Sequence, residues 1–142
     1  MSNTVDNIDG IMAIRDLLEE NIQEKQMKIA VYPLVFPETK RPDEFILVKD
    51  FPFHDVGNAV INGAIEVCIY VKNLSKQTDQ STPNLERIKE LTNVFLPILN
   101  DGLKYSTAVV STKSTTVRHK EINSFYQSII CETISITNKS EK

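Results

Sequence analysis

Two histidines and two cysteines are the residues of this sequence best suited to chemistry, and none has the company that chemistry needs. His54 precedes Asp55. Such a pair can orient an imidazole as a general base, but neighbours on an extended chain point to opposite sides, so a surface loop is the simpler reading. His119 lies between Arg118 and Lys120, a charged segment suited to contact with an acidic partner. Cys68 and Cys131 each sit alone in an apolar, β-branched run, where a thiol behaves as a small buried hydrophobe. Without a third ligand at a supporting spacing they do not read as a metal site, even as neighbours in a sheet. The acidic pairs Glu19-Glu20 and Asp43-Glu44 fall on a polar helix face and in a loop, where they read as solubilising charge. The four glycines, Gly10, Gly57, Gly63 and Gly102, are too far apart to cradle a phosphate, and no cofactor is expected. One catalytic arrangement remains to be tested: a site assembled by the fold from Glu66, Cys68 and either His54 or His119.

The elements that would have to position these groups can be read from periodicity. Residues 9 to 24 predict an amphipathic helix, capped by Asp9, with Ile11, Ile14, Leu17, Leu18 and Ile22 on one face. Residues 28 to 32 predict a short strand, which Pro33 and Pro37 confine to an edge or an extended loop. Phe45 to Val48 is a strand ending before Pro52, and residues 53 to 58 read as a loop. Ile61 to Val71 alternates most clearly. Ile65, Val67, Ile69 and Val71 are expected to face the core, and Glu66, Cys68 and Tyr70 a half-buried second surface. Thr82-Pro83 signals the start of a second helix carrying Leu85, Ile88, Leu91, Phe95 and Leu99 on one face. Pro97 is expected to kink or end it, and Asn100-Asp101-Gly102 to stop it. Two long strands, residues 107 to 117 and 125 to 136, then form a hairpin with a charged tip at 118 to 123.

The element order is therefore α-β-β-β-α-β-β. It implies an α+β domain: a mixed, mainly antiparallel sheet of about five strands, with two helices packed on one face. The domain is expected over residues 9–137, with flexible ends at 1–8 and 138–142.

Composition agrees with a globular chain. Of 142 residues, 41% are hydrophobic and 25% charged, so one core suffices without disulfides or metals. The net charge of −3 argues against binding that depends on neutralising nucleic-acid phosphates. No apolar run reaches bilayer length and no secretion signal is apparent, so no membrane partner is expected. Charge is uneven: residues 1–102 carry 10 basic and 16 acidic groups, and residues 103–142 carry 6 and 3. That asymmetry favours head-to-tail contact between copies if the two regions face opposite ways. The candidate interaction residues are Tyr32, Leu34 and Phe36, in an apolar stretch interrupted by two prolines, and Arg118, His119 and Lys120 at the hairpin tip.

The order of helix 11–22, Ile29-Ala30-Val31-Tyr32-Pro33, strand 45–48, the run Gly63 to Val71, a helix from Pro83 and a final strand pair resembles phage tail terminator and tail-completion (head-tail joining) proteins. The resemblance covers nearly the whole chain but includes no diagnostic motif. It implies a non-enzymatic virion protein, made in the host cytoplasm, that caps the tail tube as a six-fold homo-oligomeric ring. Its partners would be tail-tube and head-completion proteins, with no specific nucleic acid. The acidic first half and the lack of Trp depart from the commoner pattern. A monomeric adaptor that binds a peptide or protein strand at an exposed sheet edge is the alternative.

Overall fold

The computed structural model describes residues 7–35, 41–51, 63–74, 81–105 and 107–135. Within them, helix α1 (Asn7–Glu24) is followed by strands β1 (Ala30–Pro33), β2 (Glu44–Asp50) and β3 (Gly63–Val71). Helix α2 (Leu85–Leu99) then precedes β4 (Leu103–Lys104), β5 (Thr107–His119) and β6 (Ser124–Ser135). The strands form one sheet in the order β1-β2-β3-β6-β5-β4. Only the β1–β2 pair is parallel. The α+β class is as expected, but the described residues hold six strands where five were expected. The extra one is β4, whose two residues pair with Ala108 and Thr107 and are too few to show any alternation.

Both helices lie on one face. Ile11, Ile14, Leu18 and Ile22 of α1, with Ile88, Leu91, Phe95 and Leu99 of α2, form a single core with Ile65, Val67, Ile69 and Val71. The alternation read from β3 thus assigned its core side correctly. Burying a side chain such as Phe95, at 0% exposure, contributes about 1.5–3 kcal/mol. The second side of β3 is more enclosed than half-buried: Ala64, Cys68 and Tyr70 are all buried.

Helix ends differ from expectation in instructive ways. Helix α1 begins at Asn7, so Asp9 sits inside the first turn, where its charge complements the helix dipole, and does not cap it. The helix also reaches into the segment expected to be a flexible end. The cap of α2 is Asn84, whose Oδ1 accepts a hydrogen bond from the Arg87 N–H at 3.1 Å. Thr82 instead bridges to Leu74, and Leu85, at the first helical position, is exposed. Pro97 does not end the helix; it lies on the exposed face and the helix runs on to Leu99. Gly102 follows, packed closely: a Cβ there would stand 2.9 Å from Leu17 Cδ2 and 3.2 Å from the Ile98 and Leu99 carbonyl oxygens.

The β5–β6 hairpin is longer than expected. The strands extend to His119 and Ser124, leaving only a 3-10 turn (Lys120–Ile122) and Asn123, which takes the left-handed conformation at φ 51°. A bulge between Val109 and Ser111 interrupts the ladder. Beyond it, Ser111 to His119 pair with β6 on one side, and among the described residues no strand pairs with them on the other. At roughly 3.4 Å per residue this stretch of β5 is about 30 Å long.

Candidate interaction surface

The face of the sheet away from the helices carries a row of rings. Phe45, Tyr70 and Tyr126 are register partners on β2, β3 and β6, so their side chains share one face and stand in line. Phe45 stacks on Tyr70 at 4.7 Å and 8°, and Tyr126 on Tyr70 at 4.8 Å and 29°. Tyr32 of β1 meets Phe45 edge-on at 5.9 Å. At the other end His119 of β5 lies 5.9 Å from Tyr70 and 6.3 Å from Tyr126. The Tyr70 hydroxyl and His119 Nδ1 are hydrogen-bonded at 2.9 Å, and His119 Nε2 lies 3.5 Å from Glu121 Oε1. Burial, with smaller contributions from Cys68, Tyr126 and Glu66, holds the Tyr70 hydroxyl well above the usual phenol range.

The candidates Tyr32 and His119, 87 positions apart in the chain, are therefore brought to opposite ends of one aromatic row. The others are dispersed. Arg118 points to the helix side of β5, with its guanidinium 5.9 Å from the Phe125 ring, and Lys120 is exposed in the turn. The three tip residues do not form one basic patch, because successive strand residues alternate faces. Leu34 is exposed just past β1, and Phe36 lies outside the described residues. The row was missed in the sequence because its members come from strands whose pairing is not local; an aromatic at the same parity as Cys68 was the available signal.

Of the assembled catalytic arrangement, Glu66 and Cys68 share the sheet face that carries Tyr70, to which His119 is bonded. Glu66 accepts a hydrogen bond from Ser128 Oγ at 2.6 Å and lies 3.7 Å from Lys49 Nζ. Cys68 is fully buried two residues along on the same face, and burial, then Glu66, push its thiol far up. Cys131 faces the helix-side core opposite Ile65, and burial pushes it up to about 12. The two thiols thus lie on opposite faces of the sheet and are not the neighbours that a shared site would require. Neither is poised as a thiolate nucleophile near neutral pH. His54 lies outside the described residues. Among those residues no three His, Cys, Asp or Glu side chains come together to hold a metal ion.

Two hollows open beside this face. One, of about 170 Å³, is lined by Phe45, Tyr70, Ile122, Arg41, Asp43 and Lys72, between the start of β2 and the hairpin tip. The other, of about 190 Å³, is lined by Phe51, Ala64, Lys113, Ile130 and Glu132. Lys113 belongs both to this second hollow and to the Ser111–His119 stretch of β5.

No protein-family model and no curated protein matches the chain. Among the described residues no helix is long and apolar enough to cross a membrane.

Proposed function

We propose that this chain is a structural virion-assembly protein of a phage or prophage, which caps the tail tube as a ring and joins it to the head or neck. It works by association and not by catalysis. The observation that carries the reading is that the two ends of the sheet are unlike: a short β1 at one, and at the other a long β5 that the two-residue β4 covers at Thr107 and Ala108, with no other strand of the described residues on that side. Unlike surfaces at opposite ends of a subunit are what a head-to-tail, ring-closing contact uses. The resemblance in element order supplies the tail-completion setting; the site chemistry adds support through thiols that burial pushes up and a histidine bonded to Tyr70.

The test is native mass spectrometry and negative-stain microscopy of the purified protein, alone and with tail-tube protein. A closed ring of about six copies, binding one end of the tube, is the expected result. A species that stays monomeric in both settings overturns it. The Ser111–His119 stretch of β5 also suits a monomeric adaptor that receives a strand from another protein; a one-to-one complex without self-association would select that reading.

A further inference from the structure

We infer that the hollow of about 190 Å³ on the sheet face away from the helices binds a free α-amino acid with an apolar side chain. Every wall of the hollow belongs to one subunit, so the site does not depend on the ring reading.

Register places the walls. Lys113 of β5 stands opposite Ile130 of β6, which in turn stands opposite Glu66 of β3. Two residues along β6, Glu132 stands opposite Ala64 and Ser111. All these side chains share one face. The Phe51 N–H bonds the Ala64 carbonyl at 3.1 Å, which sets Phe51 beside Ala64. The hollow is thus lined by one ammonium, one carboxylate and the apolar groups of Phe51, Ala64 and Ile130. Lys113 and Glu132 are diagonal neighbours, roughly 7–8 Å apart at the backbone. Among the described residues no ion pair joins them. Glu132 Oε1 accepts a hydrogen bond from Ser111 Oγ, which fixes the carboxylate on this face.

Charge balance decides the class of ligand. Among the described residues, the other charged groups on this part of the face are Lys49 and Glu66, which lie 3.7 Å apart and offset each other. Lys113 and Glu132 are likewise one of each sign, so the surroundings carry no net charge to draw in a simple anion or cation. A carboxylate alone would meet Glu132 as well as Lys113, and an ammonium alone would meet Lys113 as well as Glu132. An α-amino acid carries both groups on one carbon, and presents its carboxylate to Lys113 and its ammonium to Glu132 as charge-assisted hydrogen bonds. Its side chain then lies against Phe51, Ala64 and Ile130, in a volume that admits one of leucine or methionine size. Lys113 is exposed, so its ion pair stays hydrated and contributes little, and most of the binding comes from apolar contact. The expected affinity is in the millimolar range.

Titration of the isotope-labelled protein with L-leucine, followed by amide NMR shifts, tests the site. Saturable shifts at Ala64, Lys113, Ile130 and Glu132 are expected, and L-methionine should reproduce them. N-acetyl-leucine, which lacks the ammonium, and leucinamide, which lacks the carboxylate, should each bind several-fold more weakly. Lys113→Gln should lose the preference for leucine over leucinamide, and Glu132→Gln the preference for leucine over N-acetyl-leucine. The comparison of leucine with its two derivatives uses the unmodified protein, so it decides the matter even where a variant fails to fold. Equal binding of all three, or shifts that do not saturate or that fall elsewhere on the sheet, would overturn the site while the ring reading stands.

Discussion

At the scale of single residues, the second face of the sheet is held by contacts that titration and substitution can separate. Tyr70 is buried and its hydroxyl meets His119, so Tyr70→Phe keeps the ring stack and removes the hydroxyl's bond to His119. The expected loss is about 0.5–1.5 kcal/mol in urea denaturation, and an unchanged midpoint would show that the bond is not stabilising. Cys131 gives a pH signature. Its folded-state pKa, about 12, lies above that of an exposed thiol, so the folded state keeps the proton longer than the unfolded chain. Its contribution is complete below the ordinary thiol range and is lost as pH rises from about 8.5 toward 12. Cys131→Ala should therefore flatten part of the alkaline decline in melting temperature, despite lowering stability at neutral pH. The decline should not vanish, since Cys68 and Tyr70 are pushed in the same direction. An equally steep alkaline limb in the variant would refute the assignment.

At the scale of elements, strong periodicity was legible and local hydrogen bonding was not. The alternation of Ile65, Val67, Ile69 and Val71 was enough to name the core side of β3, because one methyl-rich face had to meet the helices. The caps were harder, since several polar residues near a helix start are plausible on type alone. Thr82-Pro83 offered a familiar signature, yet the side chain that reaches an unpaired N–H is that of Asn84. Asn84→Ala should cost about 1 kcal/mol, and Asn84→Asp should restore most of it, as read by thermal unfolding. Equal losses in both variants would mean that the hydrogen bond to Oδ1 is not the source of the loss. The candidate site was legible only in parts. Tyr32 and His119 could be picked out individually, but the rings that connect them come from β2, β3 and β6, and their pairing is a property of the assembled sheet.

At the scale of the whole molecule, stability is expected to grade across the sheet. Strand β3 is central and buried on both faces, whereas Lys113 to Thr116 of β5 are exposed and, among the described residues, pair only with β6. In hydrogen exchange by mass spectrometry, peptides from β3 should be the last to exchange and peptides from residues 111–119 among the first of the strands. If a neighbouring copy adds to β5, that segment alone should become protected on assembly. Uniform protection of β5 in the isolated subunit would contradict an open edge. The bulge near Val110 has a further consequence, for descent. Val109 pairs with Thr133 and Ser111 with Glu132, so Val110 is the extra residue in an otherwise one-to-one ladder. A related chain that lacks this one residue would keep every other partner and every facing of the arm. Among homologues, a single-residue gap at this position should therefore recur more readily than one anywhere else along the hairpin.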